Sequence, residues 1–63
     1  MGMISLSSHN IDASPGMTIE QVILENGLHP DSYLYLIDGK PVPMDTVVED
    51  NTVVKAMRVA SGG

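Results

Sequence analysis

Residues 32–42, SYLYLIDGKPV, decide the fold because they join the chain's strongest strand signal to a tight turn. Apolar residues fill every position from 33 to 37, which predicts a β-strand that is apolar on both faces. Asp38-Gly39 is a typical two-residue hairpin turn. Pro41 and Pro43 have no N–H to donate, so we expect the returning strand to be short and to lie at a sheet edge. One face of the first strand should carry Tyr33, Tyr35 and Ile37, and the other Leu34 and Leu36.

A helix is predicted before this hairpin. Thr18 and Gln21 have the spacing of a capping box, with Thr18 as N-cap and Gln21 at N3. The helix should run through Asn26 and end at Gly27, a typical C′ residue. The side chains expected to face the sheet, at helical spacing, are Ile19, Val22 and Ile23.

The two ends of the chain supply the remaining strands. Residues 3–8 alternate as a short strand, His9-Asn10 is a plausible two-residue turn, and residues 11–13 return. Near the other end, Val47 and Val48 are expected to be buried. Asn51 should take positive φ in the turn before a closing strand over residues 52–60.

The order strand, strand, helix, strand, short strand, strand predicts the fold class. One helix crossing a mixed sheet of four or five strands is the α+β layer arrangement. The first and last strands should lie parallel at the centre, with the hairpins outside. We expect a single domain over residues 1–63, with residues 60–63 as a flexible tail.

Composition narrows the function. Sixty-three residues with a formal net charge of -5 argue against direct nucleic-acid binding, which needs a basic footprint. No apolar run is long enough to cross a membrane. The simplest expectation is a cytoplasmic monomer, although the Leu34/Leu36 face could also pair with itself. Met1-Gly2 is either the native start or a remnant of cloning.

The residues of an enzyme are not assembled in this sequence. The chain has no cysteine, no Ser-His-carboxylate set and no glycine-rich phosphate loop. His9 and His29 lie in separate loops without metal-ligand spacing. The acidic residues fall in or beside turns, which turn chemistry explains. We therefore expect no catalysis and no metal site.

The sequence ends in Gly62-Gly63, one residue after the predicted apolar strand. Two residues without Cβ atoms can enter a channel too narrow for side chains and present a bare carboxylate. The other interpretation is a frayed terminus, since chain ends are usually poorly ordered.

Two motifs identify a family resemblance. Residues 35–43, YLIDGKPVP, look like the "V-N-G-x-x-V-P" hairpin of small β-grasp proteins, and residues 54–63, VKAMRVASGG, like their "V-x-V-x-R-V-x-x-G-G" ending. The chain resembles ubiquitin, the sulfur carriers of thiamine and molybdopterin synthesis (ThiS and MoaD) and the small archaeal modifier proteins, with the archaeal modifiers and the ThiS-like carriers the closest match. It departs from the pattern in the turn 49–51, which lacks glycine, and in a short first hairpin.

The resemblance implies a substrate of enzymes with no bound cofactor. A ubiquitin-activating-type enzyme would use ATP to adenylate Gly63, with Gly62 needed for passage through its channel. A thiocarboxylate could then deliver sulfur to thiamine, molybdopterin or tRNA thiolation, or a target lysine could form an isopeptide bond. Neither the sulfur acceptor nor the target proteins are specified by the sequence. The alternative is a non-covalent β-grasp binding module with an incidental Gly-Gly end.

The resemblance also implies a docking patch on the outward sheet face, at Leu34, Leu36, Met57 and Val59. Arg58 is expected to assist near the root of the tail, although a surface ion pair of little energetic value is the other interpretation. Lys40 and Lys55 are the only lysines, so they are the possible side-chain acceptors if the protein forms chains.

Overall fold

The computed structural model describes residues 2–7 and 9–59 of the chain. Five strands and one α-helix follow each other in the predicted order, with a 3-10 turn before the third strand. Their bounds are β1 Gly2–Ser5, β2 Asn10–Ala13, α1 Ile19–Glu25, the 3-10 turn Pro30–Ser32, β3 Tyr33–Ile37, β4 Lys40–Val42 and β5 Val53–Arg58.

The strands form one mixed sheet in the order β2-β1-β5-β3-β4. β1 and β5 are parallel at the centre, and each outer hairpin is antiparallel. β5 also pairs antiparallel with β3. The predicted α+β arrangement, a β-grasp with a five-stranded sheet and one helix, is confirmed.

Both termini of the helix are formed as the sequence predicts. The Gln21 N–H donates to Thr18 Oγ1 at 3.2 Å, and the Thr18 N–H donates to Gln21 Oε1 at 3.0 Å, which completes the capping box. At the other end, Gly27 has φ 75°, and the Leu28 N–H donates to the Ile23 carbonyl at 3.1 Å. This is the Schellman arrangement, which allows a short helix to stop without orphaned carbonyls.

A loop that is distant in sequence closes the helix N-terminus. The Ile19 N–H donates to the Thr46 carbonyl at 3.0 Å, and the Glu20 N–H donates to the Met44 carbonyl at 2.9 Å. The Val48 N–H donates to the Met17 carbonyl at 2.8 Å. Helix donors that would otherwise need water are thus satisfied by the chain between β4 and β5.

The core lies between the helix and the inner face of the sheet. All three predicted helix residues, Ile19, Val22 and Ile23, are buried. They pack with sheet residues that alternate as expected from a strand period of two. The sheet and loop members are Ile4, Leu6, Ile11, Ala13, Tyr35, Val48, Val54 and Ala56.

Two local predictions are wrong. β1 ends at Ser5 rather than residue 8, and Asn10 is already paired with Ser5, so the turn spans residues 6–9 and not His9-Asn10. Leu6 follows Ile4 into the core, and its N–H donates to the His9 carbonyl at 2.8 Å. Exposed Ser7 lies in this turn, and Ser8 lies outside the described residues.

Val47 is the second correction: its side chain is 45% exposed, whereas Val48 is fully buried. Val47 forms an isolated bridge with Thr18, which holds the local backbone extended. Successive side chains of extended backbone point in opposite directions, so only one of the two valines can enter the core. The predicted positive φ of Asn51 is confirmed at 64°.

Gly2 is part of the fold. It is buried in β1, and a Cβ there would lie 2.7 Å from the Glu49 carbonyl oxygen and would also overlap Val48. Backbone cannot move aside as a flexible side chain can, so the position admits only glycine without a shift. Gly2 therefore lets β1 pack closely against residues 48 and 49.

Gly2→Ala should lower the free energy of unfolding by about 1–3 kcal/mol, because an extra carbon overfills a closed site. Urea unfolding followed by circular dichroism measures this. Ser7→Ala, at an exposed position, is the control and should change stability by less than about 0.5 kcal/mol. Equal midpoints for Gly2→Ala and the wild type would show that the space around Gly2 is open.

Tyr35 fastens the 3-10 turn to the sheet. Its side chain is 2% exposed, and its hydroxyl donates to the Pro30 carbonyl at 2.7 Å. Burial, with smaller contributions from the charges of Tyr33, Asp31 and Glu20, raises the pKa of Tyr35 to about 12. The folded protein therefore favours the neutral phenol over the phenolate.

This pKa shift predicts a loss of stability at alkaline pH. The unfolded-state pKa is 10.0 and the folded-state value is higher, so the stabilisation is complete below pH 10 and is lost as pH rises through about 12. Tyr35→Phe should cost about 0.5–1.5 kcal/mol at neutral pH for the lost hydrogen bond. The gap between variant and wild type should then narrow above pH 10.

Urea unfolding at neutral pH and at about pH 11.5 measures the difference between the two proteins. Tyr33→Phe, at a half-buried neighbouring position, is the matched control. A gap between wild type and Tyr35→Phe that stays constant across the range would contradict a raised pKa at Tyr35.

Candidate docking face and C-terminal tail

The outer face of the sheet presents an apolar strip on β3 and β5, which we call the outer strip. Register pairs Leu34 with Met57 and Leu36 with Lys55, so these four residues share one face. The alternate residues, Tyr35 and Ala56, are buried against the helix. The predicted assignment of residues to the two sheet faces is therefore confirmed for both strands.

The strip is accessible. Leu34 is 43% exposed and Met57 is 44% exposed, while Leu36 is half-buried between its neighbours. Val59 follows the end of β5, and its N–H donates to the Ser32 carbonyl at 2.9 Å, so the pairing continues one step towards the tail. Exposed leucine, methionine and valine in one strip make this face a candidate partner-binding surface.

The sequence interpretation omitted Val53. It is exposed, it pairs with Met3 in the β1 register, and it alternates with buried Val54. The alternation that placed Met57 and Val59 outside also places Val53 there, so the signal was present in the sequence. The outer strip therefore extends from Val59 across the sheet to Met3.

The structure does not bring Arg58 onto this face. Register pairs it with Tyr33, whose neighbour two residues on is buried Tyr35, so Arg58 lies on the helix side of the sheet end. Lys55 is the basic residue on the outer face, where it lies beside Leu36. The other lysine, Lys40, begins the edge strand β4 and is exposed.

β5 leads towards the tail, and the structure describes the chain as far as Val59. The predicted reactive residues Gly62 and Gly63, and the rest of the segment 60–63, lie outside the described residues. The structure describes the end of β5, from which the tail begins. The outer strip lies on one face of this end and Arg58 on the other.

The described residues contain neither a metal-binding cluster nor a membrane-spanning helix. No cluster of three or more metal-binding side chains occurs over residues 2–7 and 9–59. In the same part of the chain, no helix has the length and apolar character needed to cross a membrane.

Comparison with known proteins identifies the family. A family model described as "small archaeal modifier protein 2" matches residues 2–60, which include every strand, the helix and the outer strip. Comparison with individual curated proteins found no match. Because the family model covers nearly the whole sequence, the chain belongs to the small archaeal modifier protein 2 family, a group of ubiquitin-like proteins.

Proposed function

We propose that this ubiquitin-like modifier is activated by adenylation of the Gly63 carboxylate. Membership of the family implies partnering with activating enzymes and targets, and such proteins are generally non-enzymatic carriers. The observation that carries the proposal is the family match to residues 2–60, with Gly62-Gly63 following after Ser61.

Activation is needed because a carboxylate oxygen is a poor leaving group. In the proposed step, a Gly63 carboxylate oxygen attacks the α-phosphorus of ATP, an acyl–phosphate bond forms, and pyrophosphate leaves. ATP is a substrate of the partner enzyme and not a cofactor of this chain. Gly62 would let the extended tail pass through a narrow channel because it has no side chain.

The acyl adenylate can react by two routes. If hydrosulfide attacks the carbonyl carbon, a C–S bond forms, AMP leaves and a thiocarboxylate results. A persulfide donor gives the same product after a thiol reduces the intermediate disulfide. If a lysine amine attacks, it loses a proton, AMP leaves and an isopeptide bond results. The sulfur route would supply thiamine, molybdopterin or tRNA thiolation.

The outer strip is proposed to dock the activating enzyme. It lies beside the root of the tail, so an enzyme that covers Leu34, Leu36 and Met57 can receive the chain end. Such docking would also cover Lys55, which pairs with Leu36. Lys40, on the edge strand, would stay accessible and is the favoured acceptor if chains form.

ATP–pyrophosphate exchange tests the shared first step. With an activating enzyme from the same cell, adding this chain should start exchange of labelled pyrophosphate into ATP. Absence of exchange, with an enzyme active on another modifier, would contradict the proposal. It would favour a non-covalent binding module with an incidental diglycine end.

A further inference from the structure

The last part of β5 has an uncovered edge. The parallel pairing of β1 with β5 ends at Ser5 and Lys55, whereas β5 continues to Arg58. The Val59 N–H points towards β3, since it donates to the Ser32 carbonyl. Backbone groups alternate in direction along a strand, so those of Ala56 and Arg58 point to the side of β1. The parallel pairing of Ser5 with Lys55 uses the Ala56 N–H, which leaves the Ala56 carbonyl and the Arg58 backbone groups beyond the end of β1.

A groove runs along this edge. It has a volume of about 360 Å³ and is lined by residues 5–7 of the first hairpin and residues 55–58 of β5. The serine hydroxyls supply polar contacts, and Leu6 and Ala56 supply apolar surface. An exposed strand edge beside such a groove can accept a further strand.

Charge indicates what the groove would accept. Lys55 and Arg58 line it, and they are two of three basic residues in a chain with eight acidic ones. Three positions separate them on β5, so they lie on opposite faces of the strand, about 10 Å apart along it. An added strand would match both with acidic residues at positions i and i+3.

We propose that the uncovered half of β5 binds an extended acidic segment of a partner protein by strand addition. Backbone hydrogen bonds to the Ala56 carbonyl and from the Arg58 N–H would hold the segment, and two carboxylates spaced three residues apart would select it. This surface shares Lys55 and Met57 with the outer face, but its backbone contacts are made at the strand edge. Binding at this edge does not require Gly63, so an experiment can disprove it without disproving the proposed activation.

A capped octapeptide of sequence VEVVEVSV, titrated into the full ¹⁵N-labelled chain, tests the proposal. The backbone amides of residues 56–58 should show saturable shifts, and exchange of the Arg58 N–H should slow. The peptide VQVVQVSV should bind more weakly. Lys55→Gln and Arg58→Gln should each weaken binding of the acidic peptide by about two- to five-fold, the range for exposed ion pairs.

Lys40→Gln is the matched control, because it removes the third cation from a strand distant from the groove; its affinity should equal that of the wild type. All three variants are at exposed positions, and their unfolding midpoints check that they fold. Equal affinity for the two peptides would overturn the charge selection. Shifts confined to Leu34 and Leu36, or no saturable shifts, would overturn the site.

Discussion

Deleting Gly63 should abolish adenylation by the activating enzyme while leaving the fold unchanged. The deletion moves the carboxylate one residue back, so it no longer reaches the α-phosphate of ATP at the end of the enzyme's channel. Correct positioning of a reacting group commonly changes the reaction rate by several orders of magnitude. ATP–pyrophosphate exchange should therefore fall to the level seen with the enzyme alone.

Two tail substitutions sharpen this prediction. Gly62→Val keeps the terminal carboxylate but adds a β-branched side chain, so exchange should fall if the channel excludes side chains. Ser61→Ala adds no bulk and should retain exchange. Unfolding midpoints equal to that of the wild type would exclude a folding defect. Wild-type exchange by the Gly63 deletion would show that the reactive group lies elsewhere.

Replacing Leu36 by Asp should strongly weaken docking to the activating enzyme. Leu36 lies at the middle of the outer strip, between Pro41 and Lys55 in the paired strands. Covering one leucine contributes about 1.5–3 kcal/mol, which corresponds to roughly a 10- to 150-fold change in Kd. Surface plasmon resonance with immobilised enzyme measures it.

Leu24→Asp is the matched control for this variant. Leu24 is 57% exposed on the helix, which lies against the opposite face of the sheet. It makes the same chemical change at an exposed leucine and should leave the Kd unchanged. If Leu36→Asp and Leu24→Asp behave alike, the enzyme does not dock on the outer strip.

The parts of the fold that the sequence predicts are those set by neighbouring residues. Thr18 and Gln21 contact each other across one helical turn, so their capping box can be identified from spacing alone. Asp38 and Gly39 both have positive φ, as a primed hairpin turn requires. The alternation in β3 and β5 separates the buried from the exposed face.

The parts that sequence reasoning missed depend on contacts between distant segments. The burial of Val48 but not Val47 follows from the pairing of residue 47 with Thr18. The tight site at Gly2 is formed by Val48 and Glu49, and the Tyr35 hydroxyl finds its acceptor at Pro30. None of these partners is marked by a local pattern.

Strand register explains why some residues of the docking face were predicted correctly and Arg58 was not. The residues Leu34, Leu36 and Met57 follow from strand alternation, but Arg58 was grouped with them for its nearness to the tail. Alternation places Arg58 on the opposite face and Lys55 beside Leu36. The edge of β5 was invisible in sequence, because it exists only where β1 ends before β5 does.

The central claim is that the Gly63 carboxylate is the group on which partner enzymes act. The most direct measurement is the intact mass of the chain after incubation with ATP, hydrosulfide and the activating enzyme, with fragmentation to locate any change. We expect one oxygen to be replaced by sulfur at Gly63 or, on the lysine route, Gly63 joined to a lysine of a larger protein. An unchanged mass and no conjugates, with an enzyme proven active on another modifier, would contradict the claim.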